Sequence, residues 1–246
     1  MKTLATGLAG LALMLLPGAA HAQTRAVGGG SVAGSNYAID PTFEPSDENA
    51  TFELRAGSYR PSLGAAFDAS FSGDLGPWIG GELDLHAVRI PYIGPLSLGA
   101  AVGWSEWTGN AAILSGSAGA NAGQTGLSLV DFAVLAVLRV DALSRHLDIP
   151  FVLSGKVGPD LGYWRTGTGT QLQGEGWSVG LRWAAQLALE LDFLEPRAAR
   201  RLDEAWGINH SALFFEVLGS SMGQWSTRQL PLGSDLAWTA GLGFTF

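Results

Sequence analysis

The chain has 246 residues, of which 35 are glycine and 9 tryptophan, with 15% charged residues and a formal net charge of -8. That acidic balance argues against a nucleic-acid partner, since nucleic-acid binders are basic. The absence of cysteine excludes a disulfide framework, a thiolate metal centre, a cysteine nucleophile and a lipid-bearing cysteine.

In chain order, residues 1–22 have the three parts of a secretory signal peptide: Lys2, the apolar run from Leu4 to Leu16, and Ala20-His21-Ala22 before Gln23. Cleavage is expected after Ala22. The apolar run falls short of the roughly 20 residues that a membrane-spanning helix needs, as does the later stretch Leu127 to Val140. Residues 23–50 have no periodicity and are rich in glycine, serine and asparagine, which predicts a disordered periplasmic tail.

From residue 51 the apolar residues recur at every second position. Phe52, Leu54 and Ala56 alternate with Glu53 and Arg55, and Ile79, Leu83, Leu85 and Ala87 with Glu82, Asp84 and His86. Leu96, Leu98, Ala100, Val102 and Trp104 alternate with small residues, and the even positions from Val130 to Val140 oppose Asp131 and Arg139. Phe151, Leu153, Val157, Leu161 and Tyr163 oppose Ser154, Lys156 and Asp160. The longest run has apolar residues at every odd position from Trp177 to Phe193, opposite Arg182, Glu190 and Asp192. Leu213, Phe215 and Val217 oppose His210 and Glu216, and a last run alternates from Leu236 to Phe246.

These eight segments predict an all-β fold, a closed antiparallel transmembrane β-barrel spanning 51–246. Charges share one face while the other is apolar, the inverse of a soluble barrel with an apolar interior. Closure follows because hydrocarbon cannot satisfy an open sheet edge. An even strand count puts both ends of the barrel on the periplasmic side. Outer connections then fall at 60–77, 108–124, 165–175 and 220–234, and periplasmic ones near Pro91, at 141–150 and at 194–207. Tyr59, Trp78, Trp104, Trp107, Tyr163, Trp164 and Trp177 gather at outer strand ends, and parity turns only Trp104, Tyr163 and Trp177 to lipid. Pro159 predicts a bulge or an early end to the fifth strand.

The segment 194–207, between the sixth and seventh strands, reads as a short amphipathic helix. Glu195-Pro196 starts it, Gly207 stops it, and Ala198, Leu202 and Trp206 share one face, with Arg197, Arg200 and Arg201 mostly elsewhere. That basic cluster suits acidic partners, lipid phosphates or plain solvent.

The blocks FELRAGSYRPSL at 52–63, DALSRHLDIPF at 141–151, LELDFLEPRAARRLDEAWGINHSALFFE at 189–216 and the closing LAWTAGLGFTF resemble an outer-membrane β-barrel family found mainly in myxobacteria. The resemblance covers most of 51–246 and implies an integral outer-membrane protein. It implies no ligand, activity or catalytic residue.

Parity sends Glu53, Arg55, Glu82, Asp84, His86, Asp131, Arg139, Lys156, Asp160, Arg182, Glu190, Asp192, His210 and Glu216 into the lumen. An eight-stranded barrel is narrow enough for side chains to fill, so a paired network that plugs it is expected. The alternative is a narrow channel or conduit for small solutes or hydrophobic molecules. His86, His210, Glu190 and Asp192 could converge on a divalent metal, though their spacing carries no metal signature. His210 and Ser211 are adjacent and point to opposite faces, which excludes a histidine–x–serine relay on one strand face. The expected protein is therefore non-enzymatic and cofactor-free, with a structural, anchoring or surface-interaction role. Its partners would be outer-membrane lipid and an envelope protein met through the periplasmic helix or outer loops.

Overall fold

Strands that are apolar on one side and charged on the other can hide both faces only by rolling up, charged side inward. The computed structural model describes residues 46–71, 75–110, 124–168 and 171–246, and in them the chain does this. The strands are β1 Ala50–Tyr59, β2 Gly76–Ile90, β3 Gly94–Asn110, β4 Gln124–Val140, β5 Phe151–Thr168, β6 Gln171–Glu190, β7 His210–Ser220 and β8 Ala237–Thr245. Each pairs antiparallel with its sequence neighbour, and β8 pairs with β1 to close the barrel. The lower rim is the one where β1 begins and β8 ends, joined there by Ala50 N–H donating to the Phe246 carbonyl at 3.0 Å. The upper rim is the opposite one.

The outer wall is apolar from rim to rim: Leu54, Ile79, Leu98, Val134, Leu153, Leu181, Phe215 and Trp238 are all exposed. Trp177 stands out from the upper wall against Tyr163, with ring centroids 4.9 Å apart. Such a wall is tolerated only in hydrocarbon, so the barrel spans a membrane. About 9–11 tilted residues suffice to cross one. The 17 residues each of β3 and β4, the 18 of β5 and the 20 of β6 therefore carry that side of the wall beyond the bilayer.

Several expectations need correction. Strands occupy most of 165–175, read above as an outer connection, because β5 and β6 stay paired up to Thr168 and Gln171. β3 likewise reaches Asn110 and β4 resumes at Gln124. Pro159 neither ends β5 nor shifts its register. Pairing with β4 runs through Ala133↔Asp160 and resumes in step at Ala136↔Val157. The missing proline N–H removes a rung, and paired residues on both sides hold the frame. Beside it, a Cβ on Gly158 would fall 1.9 Å from the Val134 carbonyl oxygen, so only glycine lets the two backbones come this close.

The helix read between the sixth and seventh strands is α3, Pro196–Trp206, with proline in its first turn and Gly207 as C-cap at φ 69°. Two shorter helices escape the sequence reading: α1, Ala65–Phe71, above β1, and α2, Ala142–Leu147, below β4. At seven and six residues, neither is long enough to set up a period. Residues 46–50, grouped above with the tail, are part of the folded body: β1 already begins at Ala50. The signal peptide and residues 23–45 lie outside the described residues, as do 72–74, 111–123 and 169–170.

Candidate functional site

The barrel interior is filled from both ends by different chemistry. Midway, β1 supplies Glu53 and Arg55, β2 Glu82, β5 Lys156, β6 Gln186 and β7 Glu216, all buried. Arg55 pairs with Glu53, with Glu82 at 2.8 Å and with Glu216 at 2.7 Å. The Lys156 ammonium lies 2.8 Å from Glu53, 2.8 Å from Glu82 and 3.1 Å from Glu216. Because β5 is four strands from β1 in either direction, Lys156 reaches across the full diameter. Gln186 donates to Glu53 at 2.9 Å, and the Phe214 ring lies 5.6 Å from the Arg55 guanidinium carbon.

Nearer the upper rim, Arg182 of β6 pairs with Asp131 of β4 and, at 2.9 Å, with Asp160 of β5. Ser220 donates to Asp160 at 2.7 Å, and the Trp78 indole N–H donates to Asp131 at 2.8 Å. Nearer the lower rim, Arg139 meets Glu190 at 3.2 Å and donates to the Thr245 hydroxyl at 3.0 Å, while Ser144 of α2 also binds Glu190. Asp84 is buried in the lumen, and among the described residues its Oδ1 has no hydrogen-bond partner.

Above these charges the lumen is apolar. Tyr59, Trp78, Trp107 and Leu129 face inward from the wall and pack against Phe67 and Phe71 of α1 and Met222 and Leu232 of the 221–236 loop. The Phe67 ring meets Trp107 edge-on with centroids 5.9 Å apart. Loop backbone that enters a greasy lumen needs its polar groups satisfied. The Tyr59 hydroxyl donates to the Leu232 carbonyl at 2.8 Å, Ser178 to the Leu230 carbonyl at 2.8 Å, and the Gly233 N–H to the Met222 carbonyl at 2.8 Å. The described parts of the upper connections thus fold into the barrel mouth.

At the lower rim the remaining predicted residues meet a segment that the sequence reading left aside. His210 and Asp192 lie at the rim, partly exposed, 2.5 Å apart, and the other His210 ring nitrogen is 3.2 Å from Glu48. Glu48 also pairs with Arg145 of α2 and with Arg89 at 3.5 Å, and both arginines bind Asp141. Burial pushes the Glu48 carboxyl up, but the hydrogen bond to His210 and the nearby Arg145 outweigh it and hold the group at about 2. Ser46 donates to Asp203 of α3 at 2.5 Å, which ties the segment before β1 to that helix.

His86 is held apart from His210, with one ring nitrogen 3.1 Å from the Thr51 hydroxyl and the other 3.2 Å from the Glu48 carbonyl. Glu190 is occupied by Arg139. Among the described residues no group of three or more His, Cys, Asp or Glu side chains is placed to hold a metal ion. Ser211 is turned to Asp192, its hydroxyl 3.5 Å from the carboxylate. Sequence parity already turned Gln186 and Trp78 inward, and the Asp141–Arg145 spacing of four was a legible helix signal. The partnership of Glu48 with three separate turns had no local signal.

No family model matches the chain, and no curated protein matches it. Among solved structures it is similar to Ail, the attachment invasion locus protein of Yersinia pestis, at 10% identity and a TM-score of 0.41, over 82% of this chain and 100% of that one. A second Ail structure, in complex with the heparin analogue sucrose octasulfate, is 8% identical with a TM-score of 0.42, over 81% of this chain and 97% of that one.

Proposed function

We propose that the chain is exported, cut after Ala22, and inserted into the outer membrane of a Gram-negative cell as a non-conducting, non-enzymatic barrel. Its role is anchoring or surface interaction, carried by the upper connections and the lower rim. The resemblance to the myxobacterial barrel family belongs to the same reading. The observation that carries it is the doubly filled lumen. Cross-strand ion pairs bridge it at three depths, and aromatic and aliphatic side chains pack its upper third. An ion would have to break buried charge pairs and then pass an apolar plug, and each step carries a large desolvation cost.

The test is single-channel recording in planar bilayers with refolded protein, after heat-modifiable gel migration has shown the barrel to be closed. The expected result is a folded, electrically silent barrel. Stable current steps that grow with salt concentration would overturn the proposal and make the lumen charges the lining of a conduit.

A further inference from the structure

Apolar side chains cover the lower rim beyond the last paired residues. On β6 the lipid-facing row, exposed at Leu181, Trp183 and Leu187, runs on through Phe193 and Leu194, and α3 starts two residues later. Around that rim Tyr92 and Ile93 of the first turn, and Leu147 and Ile149 after β4, are exposed in the same way. The apolar surface of the barrel therefore continues into the lower turns instead of stopping at the strand ends.

α3 extends that surface. At 100° per residue, Ala198, Leu202, Ala205 and Trp206 fall on one arc, Arg201 and then Arg197 lie off one edge of it, and Glu204 and Arg200 lie farther round. None of the helix residues is buried, and Trp206 is 75% exposed. Asp203, on the opposite flank of the arc from Arg201, is held by Ser46. That hydrogen bond ties the helix to the folded body. At its C-terminus the Gly207 N–H donates to the Asp203 carbonyl at 2.8 Å and the Ile208 N–H to the Leu202 carbonyl at 3.3 Å, so Trp206 stands on a properly capped turn.

We infer that α3 is an interfacial helix: it lies in the membrane leaflet at the lower rim, with Trp206, Leu202, Ala205 and Ala198 among the upper acyl carbons and Arg197 and Arg201 at the phospholipid phosphates. The occupant of its apolar face is lipid, because that face is continuous with a wall already in lipid. Tryptophan at the boundary and arginine on the flank are the residues such a position favours. Anionic headgroups add attraction to the two arginines. The inference rests on the barrel spanning a membrane and needs neither the assignment of that membrane nor a silent lumen.

The absence of cysteine makes the test direct, since a single introduced cysteine is the only labelling site. Spin labels are placed at Ala198→Cys, Ala205→Cys and Glu204→Cys in the full barrel. Each variant is checked for heat-modifiable migration and reconstituted with zwitterionic lipid alone or with anionic lipid added. Oxygen and a water-soluble nickel chelate then report depth. Labels at 198 and 205 are expected about 5–10 Å below the phosphates, with 204 in water. All three labels in water in both vesicle types would overturn the inference and leave α3 as a surface for a protein. In the Arg197→Gln, Arg201→Gln background, the labels at 198 and 205 are expected to become shallower in anionic vesicles. Unchanged depth there would remove the phosphates from the assignment.

Discussion

Replacing Lys156 with methionine removes a cation shared by three carboxylates and keeps nearly all of the side-chain volume. An ion pair in solvent contributes about 0.2–1 kcal/mol, whereas removing one partner of a buried pair costs about 3–5 kcal/mol. Burial decides which applies: the side chains of Lys156, Glu82 and Glu216 are at most 1% exposed, and Glu53 is 6% exposed. Without Lys156, Arg55 is the remaining cation among the described residues that pairs with Glu53, Glu82 and Glu216. Lys156→Met is therefore expected to lose about 3–5 kcal/mol, or about two to three and a half decades in the unfolding equilibrium. The assay is urea unfolding in phospholipid vesicles, followed by tryptophan fluorescence and by heat-modifiable migration. Adding Glu82→Gln should recover part of the loss, because it removes one of the stranded charges. A cost for Lys156→Met below about 1 kcal/mol would show that the lumen solvates its charges as a surface does. Equal cost of Glu82→Gln in the two backgrounds would show that the residues are not coupled.

Asp84→Asn, by contrast, is expected to leave stability unchanged or raise it in the same unfolding assay, since Asp84 lies outside every ion pair described and its Oδ1 has no hydrogen-bond partner among the described residues. Gly158→Ala should cut the yield of the heat-modifiable folded form, because the new Cβ would sit 1.9 Å from a fixed backbone oxygen; Gly155→Ala, with nothing within 4 Å, should fold like the parent. Glu48→Gln tests the lower-rim clasp. The Glu48 carboxyl is held near 2 against an ordinary 4.5, so its stabilisation is fully present above pH 4.5 and is lost as pH falls through 2. That shift corresponds to about 3 kcal/mol, which solvent at half-exposed Arg89 and Arg145 reduces to about 1–2 kcal/mol. Urea midpoints of parent and variant should differ by a constant amount from pH 7 to about 4.5 and converge at pH 2; a difference that persists at pH 2 would mean the charge is not what holds the segment.

The wall was legible from sequence because a strand writes its environment at every second residue, and nine consecutive odd positions from Trp177 to Phe193 are longer than the usual half-buried strand of a soluble protein. The same parity placed Trp78 and Trp107 inside and Trp177 outside, where the structure has them. Strand lengths were less legible. Above the bilayer both faces of β5 and β6 are wet, the alternation fades around Thr166 and Gln173, and composition there looks like loop. The upper plug was illegible for a related reason. Phe67 and Phe71 are four apart on α1, a single helical repeat in a seven-residue helix, and Met222 and Leu232 stand alone in a loop, where a buried residue has no periodic neighbour to announce it. Glu48 is similar: it belongs to a short stretch after an aperiodic one, and its partners Arg89, Arg145 and His210 come from three distant turns.

The division of the lumen into a charged part and an apolar part follows from how each is built. In the upper third, long connections can fold back and supply Phe67, Met222 and Leu232 as filler, so the wall there need only offer aromatic surfaces. Lower down, the turn after β2 is tight and the connections after β4 and β6 are taken up by α2 and α3 at the rim, so the strands fill the space themselves. Arginine, lysine and glutamate reach farthest from a strand, and Lys156 crosses the whole lumen to β1, β2 and β7. Apolar filler could pack as densely, but it would make both faces of each strand alike. A strand apolar on both faces could slip by one residue, exchanging lumen and lipid sides at little cost. With Arg55, Lys156 or Arg182 in the row, the same slip would put a charge into hydrocarbon, which costs about 2–4 kcal/mol at the bilayer midplane. The paired charges thus contribute less to net stability than to register, and each pair that spans non-adjacent strands, such as Arg182 with Asp131 or Lys156 with Glu53, fixes the circumference as well.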